Sequence, residues 1–270
     1  MNRPIGVIDS GVGGLTVAYE LMRQLPNEQL IYIGDTLRCP YGPRPKHEVK
    51  QFTLEMVQFL MKKHVKMIVV ACNTATAFAL EDLKKEFSIP ILGVIQPGAR
   101  AAIKSTKNNK IGIIGTEGTI KSNAYPKALY EINANISVTT LACPLFVPMV
   151  EKGIVSGKKS QQIVEKTLKP FRHTTEIDTL VLGCTHYPLL EKTIQTVMGK
   201  HIQIISSSEE TARETSTILE VHQLLAKKRQ NHIHSFYSTG DLRVFKKIYQ
   251  SIFGEKLMNL RRAAIEKITI

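Results

Sequence analysis

The chain of 270 residues contains no tryptophan and only four cysteines. The cysteines lie far apart without a CxxC pair, which argues against a zinc ribbon or a disulfide framework. No apolar run approaches the roughly 20 residues of a membrane-spanning helix, and no basic and apolar leader opens the chain. We therefore expect a cytoplasmic protein with free thiols and no membrane partner.

Acidic residues are scarce relative to basic ones, which leaves a net charge of +13. The basic residues stand in short, scattered groups with no aromatic residues between them, so bases would find no stacking platform. Nucleic acid is therefore not expected as a partner. A nucleic-acid-binding protein remains the alternative function that the positive charge suggests. Affinity for DNA that falls steeply with salt would show only the effect of the charge.

Strand-like apolar segments alternate with helical stretches along almost the whole chain. This alternation predicts an α/β fold with parallel sheets. The predicted elements include a helix from Gly11 to Leu25, a strand from Ile91 to Ile95 and a closing helix from Ser208 to Lys228. The loop at 35–45 is rich in proline and glycine, which favours a rigid cover over a ligand, with a stiff surface loop as the alternative.

Three landmarks of the first half recur in the second half in the same order and with nearly the same spacing. The recurring pairs are Ile5 to Gly11 with Ile111 to Gly118, Cys39-Pro40 with Cys143-Pro144, and the run ending at Cys72 with the run ending at Cys184. Self-similarity of this kind predicts two pseudo-symmetric parallel-sheet domains. Coincidence among apolar strands is the alternative.

The chain is predicted to cross from one domain to the other at two short polar or turn-forming segments, 96–98 and 206–208. The first domain is then discontinuous, comprising 1–96 plus 207–270, and the second domain comprises 97–206. The closing segment returns to the first domain in this arrangement.

Cys72 and Cys184 each end an apolar, β-branched run of the buried-strand type. In an open α/β sheet this position is the carboxyl edge, where ligands bind. A buried free cysteine is often a small core residue, and Cys39 and Cys143, each beside a proline, fit that role as turn or core thiols. The other two thiols are followed by donors suited to hold carboxylates, namely Asn73, Thr74, Thr185 and His186.

A glycine-rich turn follows the first strand, Asp9-Ser10-Gly11-Val12-Gly13-Gly14. Its backbone N–H groups could face an anion at a helix N-terminus. A dinucleotide site with Asp35 as the ribose-binding acid is one alternative, but the spacing departs from GxGxxG and Asp9 would face the pyrophosphate. We favour Asp9 and Ser10 pointing into a site, against an ordinary turn with Ser10 as a helix cap.

Four motifs together are more specific than any one of them: Asp9-Ser10-Gly-x-Gly-Gly, Pro40-Tyr41-Gly42, Ala71-Cys72-Asn73-Thr74-Ala75 and Gly183-Cys184-Thr185-His186-Tyr187-Pro188. In this order they resemble the cofactor-independent aspartate/glutamate racemase family, and within it the enzymes that act on glutamate. The resemblance extends from the first strand to the C-terminal helix.

The resemblance implies two α/β domains that hold glutamate in the cleft between them. Cys72 would take the α-proton of D-glutamate, and Cys184 that of L-glutamate. Asp9 would assist Cys72, while His186 and Glu151 would assist Cys184. D-glutamate made in this way would serve peptidoglycan synthesis.

The resemblance also implies a set of substrate-binding residues: Asp9, Ser10, Tyr41, Gly42, Asn73, Thr74, Thr185 and His186. It implies no metal and no pyridoxal phosphate or other cofactor. Aspartate racemisation is the close enzymatic alternative, since one methylene of substrate is worth only about 1–3 kcal/mol. Some members of the family inhibit DNA gyrase, which makes gyrase a possible protein partner. A second copy of the chain, in a homodimer, is the other. The sequence itself supports neither partner.

Overall fold

Two parallel β-sheets flanked by helices form the protein. The computed structural model describes residues 3–174, 176–227, 233–254 and 259–264. No helix in these ranges is long and apolar enough to cross a membrane.

The first sheet contains six parallel strands, numbered here in chain order: β1 (Ile5–Asp9), β2 (Leu30–Gly34), β3 (Met67–Val70), β4 (Ile91–Gly93), β9 (Ser235–Ser238) and β10 (Leu260–Arg262). Their order across the sheet is β10-β9-β2-β1-β3-β4. Every residue of β1, β2 and β3 is buried, as expected of parallel strands covered by helices on both faces.

The second sheet contains four parallel strands: β5 (Lys110–Gly115), β6 (Ser137–Ala142), β7 (Thr179–Gly183) and β8 (Gln203–Ser206). Their order, β6-β5-β7-β8, repeats β2-β1-β3-β4 of the first sheet. The register repeats as well, because Ile5 pairs with Leu30 on one side of β1 and Ile111 pairs with Val138 on one side of β5. The prediction of an α/β fold with two pseudo-symmetric parallel sheets is confirmed.

Helices connect the strands and supply the outer layers. They are α1 (Leu15–Gln24), α2 (Lys46–Met61), α3 (Asn73–Glu86), α4 (Ile95–Ser105), α5 (Glu117–Lys121), α6 (Ala124–Ile132), α7 (Phe146–Glu151), α8 (Gly157–Thr174), α9 (Glu191–Met198), α10 (Ser207–Val221) and α11 (Leu242–Phe253). A short 3-10 helix, Tyr187–Leu190, precedes α9. Aliphatic side chains of β1 and β3 pack under helices on both faces of the sheet, with Val7 and Val69 in one cluster and Ile8 and Val70 in the other.

Three predicted elements have wrong bounds. The first helix begins at Leu15 rather than Gly11, because the glycine-rich residues form a turn at the strand end. The strand predicted at Ile91 to Ile95 ends at Gly93, and the segment 96–98 lies within α4. Proline is tolerated there because the first turn of a helix leaves its N–H groups unpaired. The domain boundaries at 96 and 207 stay a prediction.

The closing helix begins at Ser207 and ends at Val221, short of the predicted end. Gln223 has a φ of 56°, the left-handed conformation that commonly terminates helices. Just after the helix, the carbonyl of Leu224 accepts a hydrogen bond of 2.6 Å from the buried ammonium of Lys66. Lys228, the predicted last residue of the helix, lies outside the described residues.

Candidate active site

The two strand-end thiols occupy equivalent places in the two sheets. Cys72 directly precedes α3, two residues after β3 ends, and Cys184 directly follows β7. Both are buried: Cys72 is 5% exposed and Cys184 is 6% exposed. Since β3 and β7 hold the same position in the repeated strand order, each thiol marks the carboxyl edge of its own sheet.

Cys72 caps the helix that follows it. The Ala75 N–H donates to its Sγ at 3.4 Å, and the Sγ in turn donates to Ser10 Oγ at 3.5 Å. Burial and the negative charge of Asp9 raise the pKa of the Cys72 thiol to about 12, although the contacts with Ser10 and Ala75 lower it. The group is therefore a protonated thiol at neutral pH, and its thiolate would be a strong base.

Asp9 connects the two sheets. Its carboxylate accepts a hydrogen bond from the Gly11 N–H at 3.0 Å and another from the Thr185 hydroxyl at 3.1 Å. The pKa of Asp9 is raised above its usual value because burial disfavours the charged carboxylate. The positive charge of His186 and these hydrogen bonds offset only part of this effect. The predicted residues Asp9 and Thr185, which belong to different halves of the chain, thus meet directly.

The glycine-rich turn after β1 allows the two halves to approach closely. A Cβ at Gly13 would lie only 2.5 Å from His186 Nδ1 and 2.5 Å from Thr185 Oγ1, so the two halves could not meet with a larger residue there. The alternative in which Ser10 caps the first helix is wrong, because Gly14 stands at the N-cap of α1. The structure also disfavours Asp35 as a ribose-binding acid, because its carboxylate already accepts hydrogen bonds from three side chains of the protein.

His186 and Glu151 form a pair beside Cys184. His186 Nε2 lies 2.6 Å from Glu151 Oε1, and His186 Nδ1 lies 3.9 Å from Cys184 Sγ. Burial disfavours the charged imidazole, but hydrogen bonds with Cys184, Cys39 and Glu151 outweigh it and raise the pKa of His186 well above its usual value. Burial also disfavours the Glu151 carboxylate, but its contacts with His186 lower the pKa of Glu151 overall.

The amide group of Asn73 is hydrogen-bonded through its oxygen but, among the described residues, not through its nitrogen. Its Oδ1 accepts a hydrogen bond of 2.8 Å from the Tyr125 hydroxyl. Its Nδ2 is buried and has no hydrogen-bond partner among the described residues. A buried donor left unpaired in this way costs about 1–3 kcal/mol, which a bound acceptor would recover.

Thr74 belongs to a cluster of hydroxyls that again joins the halves. Its Oγ1 lies 2.8 Å from Thr116 Oγ1 and 3.1 Å from Thr119 Oγ1. The sequence analysis missed both partners. The repeat could have revealed Thr116, because it follows β5 as Ser10 follows β1.

Tyr41 and Gly42 hold the loop after β2 in place. The Tyr41 hydroxyl donates to Asp35 Oδ2 at 2.5 Å, and the Gly42 carbonyl accepts from the Gly118 N–H at 2.8 Å. The Tyr41 ring packs in the same core cluster as Cys72. The hydroxyl of Tyr41 is therefore engaged by the protein, and its ring belongs to the core beneath the first half of the site.

Cys143 is buried in the core of the second half, and Cys39 packs against the same core cluster, as predicted for turn or core thiols. Cys39 is partly exposed, and its Sγ donates to Glu151 Oε1 at 3.7 Å. Burial within the protein raises the pKa of Cys39 to about 11. A third thiol therefore borders the pair formed by His186 and Glu151.

Comparison with known proteins agrees with this geometry. The model of the Asp/Glu/Hydantoin racemase family matches residues 5–215. A glutamate racemase of Oceanobacillus iheyensis is 62% identical over 98% of both chains. Among solved structures, a glutamate racemase isoform of Bacillus anthracis superposes with a TM-score of 0.93, at 49% identity over 97% of this chain and 98% of that one. A glutamate racemase of Francisella tularensis in complex with D-glutamate gives a TM-score of 0.91, at 34% identity over 99% of both chains.

The chain belongs to the Asp/Glu/Hydantoin racemase family and is an amino-acid racemase. Within that family its high-identity relatives are glutamate racemases, and the resemblance carried by the four motifs is confirmed.

Proposed function

We propose that the protein interconverts L- and D-glutamate with two cysteines as acid and base. The observation that carries this proposal is the placement of two buried thiols, Cys72 and Cys184, at equivalent strand ends of two facing sheets. Inversion at a carbon requires a proton to leave one face and another to arrive on the opposite face. A duplicated fold provides one thiol for each face.

With D-glutamate, Cys72 first loses its thiol proton to solvent. The Cys72 thiolate then removes the proton from Cα, and the Cys184 thiol delivers its own proton to the opposite face of the same carbon. The roles exchange with L-glutamate. The Cα–H is a very weak acid, so a strong base is needed. Burial supplies most of that strength and the negative charge of Asp9 adds to it, because both raise the pKa of the Cys72 thiol.

Cys184 has a different pair of assistants. The His186 imidazole, held by Glu151 at 2.6 Å, presents its other nitrogen toward the Cys184 sulfur. This nitrogen can exchange a proton with the sulfur or donate a hydrogen bond to it. Asp9 and the pair of His186 and Glu151 are thus different assistants for the two thiols.

The substrate carboxylates find neutral donors on both sides. The free Nδ2 of Asn73 donates to a carboxylate oxygen. The buried hydroxyls of Ser10, Thr74 and Thr185, which follow strands of the two sheets, are the other candidate donors. Fixed donors of this kind stabilise negative charge as it develops at Cα and its carboxylate. The two-thiol route uses no cofactor, and we propose none.

We further propose that the D-glutamate serves peptidoglycan synthesis. Cytoplasmic location stays a prediction, and we propose neither a homodimer nor contact with DNA gyrase.

Proton NMR of D-glutamate in heavy water, with pure protein and EDTA, tests the reaction. We expect loss of the Cα proton signal together with appearance of the L-isomer, which chiral chromatography of the same samples detects. The same experiment with aspartate measures the preference between the two acids. Unchanged spectra with both substrates, in the presence of folded protein, would contradict the proposal.

A further inference from the structure

Three different metal-binding side chains converge beside the thiol of Cys184. Cys39 Sγ lies 3.7 Å from Glu151 Oε1, and the same oxygen lies 2.6 Å from His186 Nε2. One ligand-type atom from each of the three residues lies within 4.8 Å of the other two. The residues come from three separate segments, namely the loop after β2, the end of α7 and the turn after β7.

Thiolate, imidazole and carboxylate are the ligands that zinc prefers. Ligand distances of about 2.0–2.3 Å at tetrahedral angles place neighbouring ligand atoms about 3.3–3.8 Å apart. The separation between Cys39 and Glu151 already falls in this range. The separation between Glu151 and His186 needs to open by less than about 1 Å to accommodate the metal.

The cluster has room on one side and support on the other. A Cβ at Gly11 would lie 2.7 Å from Glu151 Oε1 and 3.0 Å from Cys39 Sγ, so glycine leaves this side uncovered. The Glu151 side chain is 24% exposed, which opens a route for an ion. His186 Nδ1 lies 3.5 Å from the Thr185 hydroxyl, a second contact of the kind that fixes the ring of a zinc-bound histidine.

We propose that Cys39, Glu151 and His186 form an inhibitory binding site for Zn²⁺ and similar divalent cations. The ion binds Cys39 as a thiolate, whose proton passes to solvent, and it occupies Nε2 of His186. Binding of the ion does not depend on the proposed function. Inhibition rests on it, because a bound ion withdraws His186 and Glu151 from their role at Cys184.

Titration of the metal-free full-length protein with Co²⁺ tests the site, since cobalt bound to thiolate gives a charge-transfer band in the near ultraviolet. We expect the band to saturate at one equivalent and to disappear when Zn²⁺ is added. Cys39→Ser should remove the band, whereas the matched variant Cys143→Ser, at the equivalent Cys-Pro of the second half, should keep it.

A second variant guards against a folding defect in Cys39→Ser. Removal of an outer-shell partner already weakens metal sites about 10- to 100-fold, so Glu151→Gln should weaken Co²⁺ binding by at least about tenfold. Circular dichroism confirms the fold of each variant. A band that is absent from the parent protein, or that persists in Cys39→Ser, would overturn the proposal, as would a band lost only in Cys184→Ser.

Racemisation assays on the same samples separate the two proposals. We expect Zn²⁺ to inhibit the parent protein reversibly, with EDTA restoring the rate, and to inhibit Cys39→Ser at least tenfold less strongly. Saturation of the cobalt site with no loss of rate would overturn the inhibitory role. A protein with the cobalt band but no racemase activity would contradict the proposed function while confirming the metal site.

Discussion

The Thr185 hydroxyl donates a hydrogen bond of 3.1 Å to the Asp9 carboxylate, which joins the end of one sheet to the end of the other. Both groups are buried. The contact is one of several that stabilise the charge of the Asp9 carboxylate, and this charge in turn affects the Cys72 thiol. A single hydroxyl of the second half thus acts on the base of the first half.

Thr185→Val removes this hydrogen bond while nearly keeping the volume of the side chain. A hydrogen bond to a charged group is worth about 1.5–3 kcal/mol, so we expect kcat/KM for D-glutamate to fall by about 10- to 150-fold. Steady-state racemisation measures the change. Thr185→Ser, which keeps the hydroxyl, is the control, and equal rates in the two variants would contradict the role of the hydrogen bond.

Loss of one thiol should separate proton removal from inversion. In Cys184→Ala we expect slow exchange of the Cα proton of D-glutamate with heavy water but no L-isomer, because Cys72 still removes and returns a proton on its own face. Cys72→Ala should show the same exchange with L-glutamate. Proton NMR follows the exchange and chiral chromatography follows the inversion, with Cys143→Ala as a core-thiol control. Full racemisation by either active-site variant would refute the two-cysteine mechanism.

The pair of His186 and Glu151 should make stability depend on pH in two windows. The raised pKa of His186 contributes stability that is fully present below its usual pKa of 6.5 and is lost as pH rises through the higher folded-state pKa. The lowered pKa of Glu151 contributes stability that is present above 4.5 and is lost as pH falls through its folded-state pKa.

Urea unfolding across this pH range measures the effect. We expect the free energy of unfolding of the parent protein to decline above pH 6.5 more steeply than that of His186→Gln, which has no titrating ring. Parallel curves for the two proteins would show that His186 is not held in its charged form.

Tyr125 should orient the amide of Asn73. Tyr125→Phe removes the donor to Asn73 Oδ1, so the amide can turn its Nδ2 away from the substrate. We expect KM for glutamate to rise by about 3- to 10-fold, as one neutral hydrogen bond is worth about 0.5–1.5 kcal/mol. Asn73→Ala should raise KM further. Steady-state kinetics with each variant decides, and an unchanged KM in Asn73→Ala would exclude a carboxylate contact.

The repeat made much of the fold predictable. Apolar runs with β-branched residues identified the strands that carry Cys72 and Cys184, and the parallel order of the halves followed from the repeated landmarks. The strands β9 and β10 and the helix α11 were missed, because they lie beyond the repeat and have no counterpart in the second half.

The site was predictable where a residue follows its strand directly, and less so where it arrives from elsewhere. Asp9 and Thr185 lie at strand ends, so their location follows from the topology. Tyr125 reaches Asn73 from a helix of the other half, and Cys39 reaches Glu151 from a loop. Contacts over such separations depend on how the two sheets face each other, which local patterns do not encode.

The two half-sites use different assistants, Asp9 beside Cys72 and the pair of His186 and Glu151 beside Cys184. The enantiomers of glutamate are mirror images with equal free energies in water, so the proposed reaction ends in equal amounts of each. The Haldane relationship then requires equal kcat/KM in both directions, however unequal the half-sites are. Their chemical asymmetry can therefore appear only as a compensated difference, in which the direction with the higher kcat also has the proportionally higher KM.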